Sequence, residues 1–317
     1  MQCFALSQGD RRNNQDHGTR RHPDMVFAQN LSAPEGPVLL PDRSWLVVEM
    51  GPDKGCITHI SADGKSRRTI GKIGRPNGLA VDKDGIVWVA ESVNPPSLVK
   101  VTMDGDIEVV LTRCDGKPFL FPNDLAFGPD GALYLTDSGI LFNQLAAPGD
   151  VIRPDFMDIA MDGRVYRIDV KTRNVETIDS GLRFTNGLAF GPDENLYVGE
   201  TLTGMIYRYR CADGKVVGER EDFGQVIDRG KGSRAFHGPD GMAFGVNGCL
   251  YVAVYGQGNI TVLGPDGTVL GRIPTNGARP TNLAFGVPGE RKIYVTEDEY
   301  GVLEAIDVDT DGLPLYG

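Results

Sequence analysis

The stretch RPNGLAVDKDGIVWVAES, residues 75–92, decides the fold because the chain repeats it with small changes. Close copies are FPNDLAFGPDGALYLTDSG at 121–139, FTNGLAFGPDENLYVGET at 184–201 and GPDGMAFGVNGCLYVAVY at 238–255. Weaker copies are APEGPVLLPDRSWLVVEM at 33–50 and PTNLAFGVPGERKIYVTED at 280–298. Repetition of this kind indicates one supersecondary unit that packs against further copies of itself.

When the six copies are aligned, the position after Pro or Thr holds Glu, Asp or Asn in every copy. We call the residues at this position the anchors: Glu35, Asn77, Asn123, Asn186, Asp240 and Asn282. Successive anchors are 42, 46, 63, 54 and 42 residues apart. This spacing is typical of four-stranded propeller blades with loop insertions. Each copy has an apolar run, a turn and an alternating run, which predicts a β-hairpin. We therefore predict an all-β, six-bladed β-propeller with four-stranded blades.

The phase of the repeats predicts how the ring closes. Each anchor follows the outer strand of the preceding blade, and residues 25–31 fill that place before Glu35. The chain after Asn282 supplies only about three strands, so we expect the N-terminal strand to complete the last blade and leave no open sheet edge. Residues 1–23 are expected to be a polar tail, and residues 24–317 a single propeller domain.

Charge and composition limit the partners. The chain has 317 residues, 32 Lys and Arg, 43 Asp and Glu, and a formal net charge of -11. This charge disfavours nucleic acid and anionic membranes as partners. The five cysteines, Cys3, Cys56, Cys114, Cys211 and Cys249, form no CxxC pair and predict neither a disulfide framework nor a thiolate metal site. Without a signal peptide pattern, we expect a cytoplasmic protein; its oligomeric state is left open.

The anchors carry the chemistry, because the innermost strands of a propeller surround a central channel. A ring of carboxylate and carboxamide oxygens without histidine or thiolate favours a hard divalent cation, Ca²⁺ first, with Mg²⁺, Mn²⁺ or Zn²⁺ compatible. The alternative is turn chemistry, because Asn before Gly or Asp is common in turns. Turns suffice for Asn77 and Asn282 but not for the carboxylates Glu35 and Asp240, whereas Asn123 and Asn186 fit either interpretation.

The chain resembles the SMP-30/gluconolactonase/LRE family of metal-dependent six-bladed propellers, which also includes diisopropylfluorophosphatase-like phosphotriesterases. Four short motifs carry the resemblance: Glu-Gly-Pro at 35–37, Pro-Asn-Asp at 122–124, Thr-Asn-Gly at 185–187 and Pro-Asp-Gly at 239–241. The resemblance implies that Glu35, Asn186 and Asp240 are metal ligands. It implies that Asn123 is a fourth ligand or holds water and substrate beside the metal.

The resemblance also implies hydrolysis of a small lactone or ester, in which water attacks a metal-polarised carbonyl and Asp240 is the catalytic base or, alternatively, the nucleophile. Sugar-lactone hydrolases of the family commonly carry an Arg two residues before the third anchor, where this chain has Phe121. An apolar or aromatic substrate is therefore the expectation from this position. Ser138 and His237 are further candidate substrate contacts, with ordinary loop roles as the alternative.

An insertion at 139–162 separates the third and fourth anchors and is expected to be either a lid over the metal or an ordinary surface loop packed by its own aromatic residues. Two other functions compete with a lactonase. One is a phosphotriesterase at the same metal, and the other is a non-catalytic binding scaffold with purely structural anchors.

Overall fold

Six four-stranded antiparallel sheets form the blades of the protein in the computed structural model, which describes residues 22–147, 150–231 and 235–317. From the innermost strand outward, blade 1 consists of Pro34–Leu39, Trp45–Glu49, Cys56–Ile60 and Arg67–Lys72. Blade 2 consists of Pro76–Val81, Val87–Glu91, Ser97–Val101 and Ile107–Leu111. Blade 3 consists of Pro122–Phe127, Leu133–Asp137, Gly163–Asp169 and Asn174–Leu182. Blade 4 consists of Thr185–Phe190, Leu196–Glu200, Met205–Tyr209 and Glu221–Gln225. Blade 5 consists of Gly238–Phe244, Leu250–Tyr255, Asn259–Leu263 and Val269–Pro274. Blade 6 consists of Pro280–Phe285, Lys292–Glu297, Val302–Asp307 and Val26–Gln29. The predicted six-bladed β-propeller is confirmed.

The predicted ring closure is also confirmed. Val26–Gln29 pairs antiparallel with Val302–Asp307, so strands from the two ends of the chain share blade 6. Most of the predicted tail, residues 1–21, lies outside the described residues. In blade 4, a small hairpin, Cys211–Ala212 with Lys215–Val216, comes before the outer strand Glu221–Gln225.

Apolar side chains form a separate core at each of the six junctions between neighbouring blades. Between blades 1 and 2, for example, Val48 and Ile57 pack with Val89 and Val99, and all four side chains are fully buried. Burying a side chain of this size contributes about 1.5–3 kcal/mol. The contacts within these cores join each blade to the next, which keeps the six inner strands around one axis.

Short elements outside the blades shape the two ends of the channel. The insertion of blade 3 contains the helix Phe142–Leu145, a small hairpin of Ala146–Ala147 with Val151–Ile152, and the 3-10 turn Phe156–Asp158. Two further 3-10 turns are Pro23–Met25 and Arg229–Lys231, and a third small hairpin pairs Arg113–Cys114 with Lys117–Pro118. Among the described residues, no helix combines the length and apolar character needed to span a bilayer, and no disulfide joins the described cysteines.

The C-terminal segment lies at one end of the channel. Tyr316 bridges Phe127 of blade 3, and Gly312 bridges Gly245 beside blade 5. Beneath it is a largely apolar cavity of about 500 Å³ that reaches the ring at Asp124 and Asn282. The blade 3 insertion packs at the opposite end, where the inner strands begin, and we call this end the mouth.

We predict that Glu304, beside the closing strand, makes stability depend on pH. The side chain is fully buried, and burial raises its pKa to about 7, although the backbone N–H of Asn276 lowers it. Because the raised pKa favours the protonated folded form, the penalty is absent below the unfolded pKa of about 4.3 and complete above about 7. Glu304→Gln should therefore raise Tm by a few degrees at pH 8, with the gain shrinking towards pH 5.

Thermal unfolding at saturating Ca²⁺ from pH 5 to 8 measures this difference. Glu176→Gln, at an exposed outer-strand position, is the matched control and should show no such trend. A Tm gain for Glu304→Gln that is the same at every pH would contradict the prediction.

Candidate functional site

A break in strand register directs the anchors towards the channel. Every inner strand loses regular pairing with its neighbour beside the anchor, for example between Pro122 and Leu125 in blade 3 and between Pro239 and Met242 in blade 5. Such irregularities change the direction in which a side chain points and often occur next to active sites. The inner strands therefore present their anchors at a common level of the channel.

Glycine after the anchor lets neighbouring inner strands approach closely. A Cβ atom added to Gly187 would lie 2.2 Å from the carbonyl oxygen of Asp240, and one added to Gly241 would lie 1.9 Å from the side-chain amide carbon of Asn282. Blade 3 is different, because Asp124 occupies the position that follows its anchor. The ring therefore contains a third carboxylate, which the sequence interpretation missed. The signal was an acid where most of the copies have glycine.

The three carboxylates of the ring, those of Glu35, Asp124 and Asp240, influence one another. Burial raises the pKa of Glu35 well above its usual value, and the charges of Asp124 and Asp240 raise it further. Burial raises the pKa of Asp124 to about 6. The pKa of Asp240 is raised well above its usual value by burial and by Asp124, whereas the amide of Asn186 lowers it. This arrangement is costly unless positive charge enters the ring.

Asp240 is the most accessible of the three. Glu35 is 2% exposed and Asp124 7% exposed, whereas Asp240 is only partly buried. Glu35 also accepts a hydrogen bond of 3.3 Å from the Asn282 amide. Because the Asn282 side-chain oxygen accepts a bond from the backbone N–H of Leu283 at 2.7 Å, this anchor has a local structural role. Asn77, the other anchor for which turn chemistry sufficed, is buried in the same ring.

The amide oxygens of Asn123 and Asn186 are buried and have no hydrogen-bond partner among the described residues. Their amide nitrogens are held, since Asn123 donates to the Ser138 hydroxyl at 2.9 Å and Asn186 donates to the Thr201 hydroxyl at 3.2 Å. Each amide is therefore oriented with its oxygen unpaired. Leaving a buried acceptor unpaired costs about 1–3 kcal/mol, which indicates that something absent from the protein alone belongs beside these oxygens.

The hydroxyls that hold the amides are themselves fixed by the next blade. Ser138 donates to the Thr185 carbonyl at 2.8 Å, and Thr201 donates to the Pro239 carbonyl at 2.8 Å. Ser138, which the sequence suggested as a substrate contact, is fully buried with its proton already committed. Its position allows it to orient Asn123 but gives it no surface for a substrate. Thr201 has the same role for Asn186 and was missed.

Carboxylates at the ends of second strands fix the loops that lead to the anchors. Asp137 accepts the backbone N–H groups of Leu120, Phe121 and Gly139 at 2.8–2.9 Å. Glu297 likewise accepts the N–H of Arg279 at 3.0 Å. These acids are thus structural elements of the mouth.

The blade 3 insertion packs on the mouth rather than only on itself. Phe142 contacts Phe121 with ring centroids 5.8 Å apart, and Phe156 contacts Phe236 at 5.4 Å. Phe121 also packs edge-on against Phe184 and is 3% exposed, so little of its ring is available to a substrate. His237 is half-buried, with Nδ1 2.6 Å from the Ala235 carbonyl oxygen. In the described part of the chain, no hydrogen bond joins His237 to Asp240.

The donor set suits a hard cation. In the described ranges, no three His, Cys, Asp or Glu side chains form a metal-binding cluster, so any site here must combine carboxylates with amide oxygens. The unpaired oxygens of Asn123 and Asn186, together with the carboxyl groups of Glu35 and Asp240, fit Ca²⁺ best among common cations. The predicted ligands thus lie in one ring, with Asn123 and Asn186 held ready by neighbouring hydroxyls.

A six-bladed propeller with oxygen donors collected at one mouth is the class of protein that this fold and site define. The chain belongs to the SMP-30/gluconolactonase/LRE-like family, whose model matches residues 97–298. This membership confirms the resemblance drawn from the motifs.

Individual relatives agree with the family. The gluconolactonase of Zymomonas mobilis is 29% identical over 288 residues, covering 84% of this chain and 77% of the relative. The diisopropyl-fluorophosphatase of Loligo vulgaris is 27% identical over 252 residues, covering 77% and 75%. The solved structure of regucalcin from Agrobacterium tumefaciens, described as a calcium-binding protein, has a TM-score of 0.73 at 18% identity and covers 92% of this chain and 97% of that one. The last likeness concerns the fold alone.

Proposed function

We propose that this protein is a metal-dependent hydrolase that opens small lactones or esters at the ring of anchors. One observation supports this most strongly: two buried amide oxygens, those of Asn123 and Asn186, are oriented without a partner beside the carboxylates of Glu35 and Asp240. A binding scaffold gives no reason to maintain such costly groups. The relatedness to a gluconolactonase over most of both chains favours the lactone as substrate.

Four side chains would hold the cation: Glu35, Asn123, Asn186 and Asp240. Ca²⁺ is the proposed ion, since all four provide oxygen and none provides nitrogen or sulfur. When bound, a dication supplies positive charge that polarises the lactone carbonyl and stabilises the oxyanion formed when water adds. Asp124 adds a negative charge that offsets part of the cation's charge without facing the mouth as Asp240 does.

Asp240 is the proposed general base. Water forms a bond from its oxygen to the carbonyl carbon, and Asp240 takes the proton that water loses. The ring C–O bond then breaks, and the proton passes to the departing alkoxide to give a hydroxy acid. The partial accessibility of Asp240 suits it to this role.

We expect hydrolysis to depend on Ca²⁺. Incubation with EDTA should lower lactone turnover by at least about 10²-fold, the scale of losing a main oxyanion-stabilising group. Adding Ca²⁺ back should restore turnover and raise Tm by several degrees through selective binding to the folded state. The assay panel comprises γ- and δ-lactones, aryl esters and a phosphotriester, with Mg²⁺, Mn²⁺ and Zn²⁺ as alternative ions.

The phosphotriester tests the second candidate function, which the likeness to diisopropyl-fluorophosphatase favours. Faster turnover of the phosphotriester than of any lactone would replace the proposed substrate class. Full lactone turnover in EDTA would exclude metal dependence. Absence of both turnover and any Ca²⁺ effect on Tm would favour the scaffold.

A further inference from the structure

Arg75 occupies in blade 2 the position that Phe121 occupies in blade 3, two residues before the anchor. Its backbone is fixed at both ends, because its N–H donates to both oxygens of Glu91 at 3.0 Å and its carbonyl accepts from the N–H of Ser92 at 3.1 Å. The side chain therefore starts from a rigid point on the mouth.

The guanidinium of Arg75 reaches the next blade. Its central carbon lies 4.1 Å from the ring centroid of Phe142 and 5.7 Å from that of Phe121. On another side, Nη1 approaches the Met50 sulfur at 3.6 Å. The guanidinium thus packs on an aromatic wall, and one of its N–H groups points at a thioether, which is only a weak acceptor.

The polar edge of Arg75 is incompletely paired. Nε is buried and has no hydrogen-bond partner among the described residues, and none of their carboxylates lies within 4 Å of its nitrogens. Burial lowers the pKa of Arg75, whereas the charges of Asp150, Asp298 and Glu91 oppose that change. A guanidinium keeps its charge in proteins, so this cation has donors to offer.

Asp298, at the end of a second strand, forms an ion pair with Arg279 at 3.4 Å. Its charge also acts on the guanidinium of Arg75. Burial raises the pKa of Tyr255 most, and the charge of Asp298 adds to this effect, so that the pKa reaches about 12. Because Arg75 packs on Phe121 and Phe142 of the mouth, two residues before the anchor Asn77, its guanidinium lies at the mouth that the anchors face.

We propose that Arg75 is a specificity-determining residue, which donates hydrogen bonds to oxygen substituents on the lactone ring. Blade 2 thereby supplies, across the ring of Phe121, the guanidinium that blade 3 lacks at position 121. This inference rests on the proposed lactonase function. It reverses the expectation of an apolar substrate, because Phe121 serves as the packed support for Arg75 and has almost no exposed surface of its own.

The test compares two lactones of equal ring size in the Ca²⁺-loaded protein, D-glucono-δ-lactone and unsubstituted δ-valerolactone. Arg75→Gln should lower kcat/KM for the hydroxylated lactone by about tenfold to hundredfold, as expected for loss of a charged hydrogen bond. For δ-valerolactone the loss should be below about threefold. Arg68→Gln, at an exposed position on the outer strand of blade 1, is the control and should alter neither value. An equal loss with both lactones, or no loss with either, would overturn the inference.

A binding measurement separates this inference from the proposed function. Calorimetric titration of D-gluconate, a ring-opened polyhydroxy acid, should show binding to the unmodified protein that weakens at least about tenfold in Arg75→Gln. If neither lactone is hydrolysed, the lactonase fails and this titration alone decides on Arg75. Equal or absent binding in both proteins would count against it. Should Arg75→Gln fail to fold, Arg75→Lys, which keeps the charge but lacks the planar fork, takes its place with a smaller expected loss.

Discussion

Asp240→Asn is expected to lower kcat for lactone opening by about 10²–10⁴-fold while the protein still responds to Ca²⁺. Asparagine has nearly the same shape and retains one oxygen for the cation, but it cannot accept a proton from water. Among the three carboxylates of the ring, Asp240 alone is more than marginally exposed. The loss should therefore fall on the chemical step more than on binding.

Two measurements distinguish a base from a ligand or a nucleophile. If Asp240→Asn abolishes the Ca²⁺-induced rise in Tm together with turnover, its main role is metal binding. Single-turnover hydrolysis in H₂¹⁸O separates the base from the nucleophile, since direct attack by the carboxylate would leave ¹⁸O in Asp240, whereas attack by water places it in the product acid. Asp63→Asn, in an exposed turn of blade 1, is the matched control. Full turnover in Asp240→Asn would exclude both catalytic roles.

The fold could be predicted because the sequence contains six copies of the same strand-turn-strand pattern. Turn residues and alternating apolar runs recur at each anchor, and even the closing strand followed from the phase of the repeats. Strand ends were less predictable. The outer strand of blade 4 begins after a small hairpin, and outer strands, with one exposed edge, carry too little apolar pattern to define their ends.

The six anchors of the candidate ring could be predicted from the sequence, but Asp124 and the contacts that orient the side chains could not. A one-dimensional pattern identifies Glu35 and Asp240 as unusual, yet it does not show the register breaks that direct them inward. Nor does it show that Ser138 and Thr201 hold the amides of Asn123 and Asn186, because each contact joins two strands of a blade. These partners depend on strand pairing.

The contact of Arg75 with Phe121 was also invisible in the sequence. The family resemblance places an arginine at position 121, in the same repeat as Asn123. The guanidinium beside Phe121 instead belongs to Arg75 of the preceding repeat. If Arg75 has the proposed role, blade 2 compensates for the substitution at position 121 of blade 3, since equivalent positions converge around the channel. Recognition by a propeller mouth is a property of the ring, so single-repeat motifs predict it poorly.

Glu35→Gln is expected to abolish the Ca²⁺-induced rise in Tm and, at the same time, to stabilise the Ca²⁺-free protein. Burial is the main cause of the raised pKa of Glu35, and the nearby charges of Asp124 and Asp240 raise this pKa further. Without a cation, ionised Glu35 destabilises the folded state at neutral pH, because the folded form favours its proton. Glutamine removes the charge and keeps an oxygen beside the Asn282 amide. In EDTA at pH 7.5, Tm should therefore rise by a few degrees.

With Ca²⁺ the effect should reverse, because binding loses a charged ligand. We expect Ca²⁺ affinity to fall by more than about tenfold, because replacing even a residue that only hydrogen-bonds to a metal ligand typically lowers metal affinity by that factor. Glu49→Gln is the matched control in the same blade. Glu49 is also buried, but it accepts the N–H of Ser32 at 2.8 Å and the Thr58 hydroxyl at 2.6 Å, so its replacement should lower Tm and leave the response to Ca²⁺ intact. A normal Ca²⁺ response in Glu35→Gln would place the cation elsewhere, because the free-energy cost of burying Glu35 is explained here only by the ion that it holds.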